Sequence, residues 1–338
     1  MCLMSRKLGT KEEIPMIPPT VPEVKVGILS EIQDYNHELL NIPAAWKSSM
    51  GSGVRVAVLD TGMPQHPDMT VEGSRSFVQG YLADENGHGT ASGSVIAAVA
   101  NNGMGIRGVA PDVSDYYGAV MGKYGTGSVK SIIDGIYWAC DDIGADVINM
   151  SLGIPGSYEC DPELKRACDY AYGKGSLLVA SAGNDGKAVN YPARFDSVVA
   201  VAAVDRRSNI ASFSSRGPEV EFAAGGVDVY MCYLNGGYAS MSGTSFSAPV
   251  ISGVACLIKS IFRGKGVDLT PDELRGRLKK IAYDVGPEGR DDMFGYGIPV
   301  FTKNASNLLT GEVGALGRQS FWRRLWNRII MLSGKEKE

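Results

Sequence analysis

The 338-residue chain predicts an α/β fold, a mostly parallel central sheet with helices on both faces. Three observations predict it. Residues 54–59, 147–152, 176–182 and 198–204 are nearly continuous apolar runs of strand length, as in parallel strands buried on both faces. Between them, residues 91–100, 128–142 and 162–173 read as helices, the last with Pro162 in its first turn. Glycine, 43 residues in all, gathers where the strands end. In open α/β sheets ligands bind at those ends, so chemistry is sought just after Leu59, Met150, Ala182 and Asp205.

Composition narrows the class. With 44% hydrophobic and 21% charged residues, the chain is neither disordered, nor collagen-like, nor a multi-span membrane protein. A net charge of −4 argues against a nucleic-acid-binding surface. The six cysteines contain no CxxC pair and are too sparse for a disulfide scaffold, so reduced, mostly buried thiols are expected. The first residues carry no apolar run of signal-peptide length, and no stretch of ~18 apolar residues is present. The expectation is a soluble, cytoplasmic protein.

Three regions differ in character. Residues 1–27 crowd Pro15, Pro18, Pro19 and Pro22, which forbids helix and predicts an extended arm. Residues 28–312 carry the α/β pattern. In residues 313–338, Phe321, Trp322, Leu325, Trp326, Ile329 and Ile330 recur at helical spacing, with Arg323, Arg324 and Arg328 largely on another face. That is a basic amphipathic helix, suited to the protein's own surface, to an anionic membrane or to a partner protein. Homodimerisation is left open.

Four short peptides carry candidate chemistry. Asp60-Thr61-Gly62 follows the first buried strand, where a carboxylate is either functional or part of a hydrogen-bonded turn. His88 lies between two glycines that permit close approach of a substrate or another backbone. His37 and His66 lack such a setting and are expected at the surface or in turns. Asn184 ends the run 176–182 and serves either a turn or a ligand. Ser245 follows Gly243-Thr244 and precedes the apolar stretch 250–261, so it is either an N-cap or a presented hydroxyl.

In this order and in these peptides, Asp60, His88, Asn184 and Ser245 make the chain resemble the subtilisin-like serine proteases, closest in organisation to the intracellular subtilisins. The likeness extends through Gly108-Val-Ala-Pro111, Asn149-Met-Ser-Leu-Gly153, Ser212-Phe-Ser-Ser-Arg-Gly217 and Gly295-Tyr-Gly297, over roughly residues 28–310. It implies a subtilisin-like fold and a serine endopeptidase working through an acyl-enzyme. Ser245 would be the nucleophile, His88 the general base and acid, and Asp60 the group that holds the imidazole. Asn184 and the Ser245 N–H would bind the oxyanion. An extended protein or peptide substrate would lie between Gly125-Thr126-Gly127 and Ser151-Leu152-Gly153, with Asn190 at the floor of the first specificity pocket and Val129 and Ile132 walling another. A structural calcium ion is implied, with Asp68, Asn102 and the carbonyls of Ala100, Met104 and Ile106 as ligands. No organic cofactor is implied.

The resemblance also offers residues 1–27 as a short extension able to lie across the active site, with Glu13-Ile-Pro-Met-Ile-Pro-Pro19 as the blocking stretch; a disordered tail is the equal alternative. Ala91, Val250 and Phe246-Ser247 depart from the family's usual residues, without removing a catalytic group. Gly103-x-Gly-x-x-Gly108 matches a dinucleotide-binding pattern but follows a helix instead of a strand, so it is rejected. Asp60-Thr-Gly also matches the aspartic-protease loop, but a second such triplet is missing from the chain. The competing class is an idle pseudoprotease that acts as a binding module.

Overall fold

The computed structural model describes residues 13–17, 23–25 and 31–301. Cys2, the remainder of the arm and the amphipathic stretch 313–338 lie outside the described residues. Two short strands, β1 (Glu13–Pro15) and β2 (Glu23–Lys25), precede the small helices α1 (Tyr35–Leu39) and α2 (Ile42–Trp46). Next come β3 (Arg55–Asp60), β4 (Gly73–Ser76), α3 (His88–Ala97), β5 (Ser114–Ala119), β6 (Thr126–Ser128) and α4 (Val129–Tyr137). The last runs into a π-helical turn, Trp138–Asp142. The second half holds β7 (Val147–Met150), α5 (Pro162–Gly173), β8 (Leu177–Ser181), β9 (Val198–Val204), β10 (Val220–Gly225), β11 (Val229–Cys232) and β12 (Tyr238–Met241). Helices α6 (Thr244–Arg263) and α7 (Pro271–Ile281) and the pair β13 (Ala282–Tyr283) and β14 (Ile298–Pro299) complete it.

Seven parallel strands form the main sheet in the order β10-β9-β8-β7-β3-β5-β4. The expected apolar runs supply its centre, β9-β8-β7-β3: every residue of β7, β8 and β9 is buried, as is every residue of β3 after Arg55. From β3 the chain builds outward to β5 and β4, then returns to the other side for β7 to β10. The order therefore reverses between β3 and β7, and a crevice opens at the carboxyl ends flanking such a reversal. Asp60 ends β3, and Ser151-Leu152-Gly153 follow β7 directly.

Helix α6 is buried from Thr244 to Phe262. Among the described residues it is the one helix long and apolar enough to cross a membrane, and it lies wholly inside the protein. Each of its fully buried aliphatic side chains contributes roughly 1.5–3 kcal/mol. It begins at Thr244, six residues before the expected apolar stretch, so Ser245 is inside its first turn and Gly243 is the N-cap. Ser245 is therefore no capping residue. Helix α3 likewise starts at His88 instead of at residue 91, because its glycine-rich opening is capped from elsewhere in the chain. Both remaining histidines are buried, which corrects the surface alternative; His66 does open a turn, its carbonyl accepting from the Met69 N–H at 3.1 Å, whereas His37 lies in α1. His37 is buried against Trp46 with Nε2 at 3.3 Å from the Gly108 carbonyl, and His66 is buried with Nε2 at 2.9 Å from that of Gly237.

Candidate active site

Asp60 is fully buried where β3 emerges from the sheet, and the His88 Nδ1–H donates to its Oδ1 at 2.7 Å. The Thr61 N–H donates to the same oxygen at 2.7 Å. Burial alone drives the His88 imidazole toward neutrality. The charge of Asp60, its hydrogen bond and the charge of Asp84 outweigh that, and the net shift is upward. With Nδ1 occupied, Nε2 is the nitrogen left for proton transfer.

Ser245 enters from the opposite side as the second residue of α6, next to Phe246, whose ring lies 5.5 Å from the His88 ring centre to centre. Its N–H is among the first-turn donors without an intrahelical acceptor, at the positive end of a 20-residue helix. Asn184 follows β8 and accepts from the Thr244 N–H at 2.8 Å and the Thr244 hydroxyl at 2.9 Å. Both bonds use Oδ1, which fixes the amide and leaves its NH₂ without an acceptor among the described residues. Two N–H donors, on Asn184 and Ser245, thus stand at the start of one helix, the requirement for holding an oxyanion.

A proline inside α6 explains a further link. Pro249 has no N–H to give the carbonyl four residues earlier, which is that of Ser245. The Ser151 hydroxyl fills the gap, donating to the Ser245 carbonyl at 2.7 Å. Ser151 in turn accepts from Asn149 Nδ2 at 3.0 Å, and Asn149 Oδ1 accepts from Ser252 at 2.9 Å. A buried polar chain therefore ties the end of β7 to the backbone of Ser245.

The groove expected for an extended chain contains one. β1 pairs antiparallel with β6, Ile14 opposite Gly127 and Pro15 opposite Thr126. The Met16 N–H donates to the Gly125 carbonyl at 3.1 Å, and the Gly153 N–H donates to the Met16 carbonyl at 2.9 Å. Ile14, Met16 and Ile17 are buried while Glu13 and Pro15 face outward. A Cβ at Gly125 would stand 2.4 Å from the Ile17 side chain. β2 then pairs with β12, the strand that leads into Ser245. Leu152 is buried, its carbonyl accepting from Ser181 at 3.2 Å. Asn190 lies beneath Gly153 and Gly183, where a Cβ would approach its amide nitrogen to 3.0 and 2.7 Å, and its Oδ1 accepts from the Gly156 N–H at 3.2 Å. Val129 and Ile132 are buried on α4.

The loop expected to hold calcium suits a hard cation. The carbonyls of Ala100, Met104 and Ile106 accept no hydrogen bond among the described residues. Left-handed φ angles at Asn101, Gly103 and Gly105 alternate with them. Asp68 is buried and accepts from the Ile106 N–H at 2.9 Å, and from Asn102 Nδ2 at 2.5 Å. Turning the Asn102 amide over, which gives up the Met104 N–H bond that its Oδ1 accepts at 3.0 Å, would give five oxygens with a single negative charge. Groups of three or more His, Cys, Asp or Glu that could hold a metal are missing among the described residues.

The residue that sequence reasoning missed is Asp84. It is buried, and its two oxygens accept from the Thr61 hydroxyl, the Asn86, Gly87 and Thr90 N–H groups and the Thr90 hydroxyl, all within 3.0 Å. Its position four residues before His88 was the available signal. The Cys140, Cys160, Cys168, Cys232 and Cys256 thiols are unpaired, as expected.

Comparison with known proteins agrees with this geometry. Residues 51–297 match the model of the subtilase family, Peptidase_S8. The minor extracellular protease Epr of Bacillus subtilis is 38% identical over 81% of this chain, which spans 42% of that protein. Subtilisin DY of Bacillus licheniformis is 44% identical over 73% of this chain and 88% of its own length. A thermostable alkaline protease of Halalkalibacterium halodurans is 44% identical over 70% of this chain, which spans 64% of that protein.

Proposed function

Because the chain belongs to the subtilase family, with a subtilisin-like serine endopeptidase domain in residues 51–297, we propose that it hydrolyses protein or peptide substrates and that its own N-terminal arm restrains it. The observation that carries the chemistry is the Asp60–His88 pair facing the first turn of α6. His88 Nε2 takes the Ser245 proton as Oγ attacks the carbonyl, and later delivers it to the leaving amine. Asp60 holds the Nδ1–H tautomer and stabilises the imidazolium. The Asn184 amide and the Ser245 N–H receive the negative oxygen. The subtilisin relatives leave the binding-module reading without support.

The arm pairs with both walls of the groove through main-chain hydrogen bonds, which is how an extended substrate would bind. The imide bonds that follow, at Pro18, Pro19 and Pro22, lack an N–H and resist cleavage. A fluorophosphonate probe that modifies activated serines tests both halves. The full chain should label slowly, full-length Ile14→Asp/Met16→Asp at least about tenfold faster, and Ser245→Ala in that background not at all. Equal labelling with and without the arm substitutions would remove the arm's role. Absence of labelling in either folded form would remove the enzyme.

The Asn190 amide supports a first specificity pocket with a polar floor. The 100–106 loop supports a structural calcium ion held by Asp68, Asn102 and the carbonyls of Ala100, Met104 and Ile106. Calcium should then raise the melting temperature over a chelator control, and Asp68→Asn should abolish the difference. Five unpaired thiols favour a reducing compartment, the cytoplasm. The basic amphipathic pattern of residues 321–330 favours peripheral contact with an anionic membrane or a partner protein.

A further inference from the structure

We propose that Asp84 is a positioning residue of the active site, which caps the helix bearing His88 and locks it to the strand end bearing Asp60. The inference rests on the serine-endopeptidase reading and adds a second buried carboxylate to its machinery.

Helix α3 starts behind Gly87, whose φ of 94° is left-handed and which has no side chain to cap with. The first-turn N–H groups therefore need partners from elsewhere. Asp84 Oδ1 accepts from the Asn86 N–H at 3.0 Å and the Gly87 N–H at 2.8 Å. Asp84 Oδ2 accepts from the Thr90 N–H at 2.7 Å and the Thr90 hydroxyl at 2.6 Å. A buried carboxylate is tolerable here because five donors and a helix N-terminus surround it.

The fifth donor makes the link to Asp60. Thr61 gives its hydroxyl proton to Asp84 Oδ1 at 2.9 Å, and its Oγ1 accepts from the Gly89 N–H at 2.8 Å. Thr61 directly follows Asp60, and Gly89 directly follows His88. One hydroxyl thus joins the neighbours of the two residues whose side chains must meet at 2.7 Å. Gly62 lets the strands close: a Cβ there, at φ 137°, would lie 2.8 Å from the Leu82 carbonyl and 2.9 Å from the Asp84 nitrogen. The charged groups facing His88 are Asp60 on β3 and Asp84 in its own loop, while α6 presents the neutral Phe246. Asp84 therefore acts on the base both by geometry and by charge.

The test uses the full chain with Ile14→Asp/Met16→Asp as parent, and follows hydrolysis of a chromogenic peptide against pH. Asp84→Asn should lower kcat by about 10- to 100-fold with KM little changed, because it misplaces His88. It should also move the acid limb to lower pH, because a negative charge near the imidazolium is gone. Thr61→Val should lower kcat, and Thr61→Ser should return it to within about threefold of the parent. The double variant Asp84→Asn/Thr61→Val should lose less than the product of the singles. A folded Asp84→Asn with the parent's kcat and acid limb would overturn the proposal. So would Thr61→Val with parental kcat, a variant that removes one hydroxyl and keeps the shape. An NMR titration of His88 in the unaltered full chain reads the same lock without turnover. Its midpoint should fall in Asp84→Asn, and an unmoved midpoint also overturns the proposal. A parent that neither labels nor hydrolyses would refute the endopeptidase reading and leave the NMR result to decide on Asp84.

Discussion

The two helix starts that present His88 and Ser245 use one feature of backbone structure in opposite ways. Both α3 and α6 begin behind a glycine that makes no side-chain cap. At α3 the first-turn donors are taken: Asp84, Thr61 and the Asn86 side chain accept from Gly87 to Thr90. At α6 the Thr244 N–H goes to Asn184 Oδ1 and the Phe246 N–H to the Gly243 carbonyl, and the Ser245 N–H between them is left for a ligand. The Asp84 carboxylate closes one terminus and raises the proton affinity of His88. A neutral amide braces the other, so that its field is available to the charge that develops on a substrate carbonyl. The difference shows that a helix N-terminus is catalytically neutral until its caps are known.

Three experiments would break or sharpen that contrast. The largest effect is expected at the open terminus. Asn184→Ala in the arm-displaced full chain should lower kcat roughly 10²–10³-fold with KM little changed, the size known for the equivalent donor in subtilisin, a member of the same family. An effect confined to KM would mean that the amide serves substrate binding and not the oxyanion. The next effect concerns the Ser245 carbonyl that Pro249 leaves without an intrahelical donor. Ser151→Ala should cost about 1–3 kcal/mol in a denaturant melt, the penalty of a buried acceptor without a partner. Pro249→Ala in that background should recover part of it by restoring an N–H. The smallest effect is a matter of pH. Burial opposes protonation of His88, but Asp60 and Asp84 win, so its affinity for the proton is raised. Catalysis needs the neutral imidazole, so kcat/KM should rise with pH through a midpoint above the ordinary histidine value near 6.5. The stability that the protonated pair contributes is fully present below that ordinary value and lost as pH rises through the elevated one. A midpoint below 6.5 would mean that burial, and not the carboxylates, governs the base.

Much of this was legible in the sequence for definite reasons. Residues 198–204 and 162–173 match β9 and α5 residue for residue. A strand buried on both faces must be apolar throughout, and a Pro at the first turn marks a helix start. The candidate catalytic peptides were legible because Asp60, His88, Asn184 and Ser245 stand in the order and the peptide settings of the subtilisin-like proteases, whereas each alone could equally serve a turn or a cap. Helix boundaries fared worse where capping came from afar. His88 reads as lying at the start of the small-residue helix, and only the fold shows that Asp84 and Thr61 satisfy the turn that it begins. His37 and His66 read as surface or turn residues, and their burial was not legible, because nothing in a linear sequence shows the Gly108 and Gly237 carbonyls that meet them inside.

The sequence by itself determined the layered α/β architecture and a proline-rich arm that resists helix, and its resemblance to the subtilisin-like proteases pointed to the four candidate catalytic groups and to the candidate calcium loop. The architecture and the arm follow from side-chain chemistry or local backbone preference, which a short window of the chain displays, whereas the candidate site follows from the likeness of several separate peptides taken in order. Tertiary structure alone decided which β-edge the arm occupies, which hydroxyl replaces the N–H that Pro249 lacks, and which carboxylate caps the helix of the base. Those are pairings between residues far apart in the chain, or between one side chain and several backbone groups. Hydrogen-bond partners are chosen by distance and angle in space, and only the fold sets them.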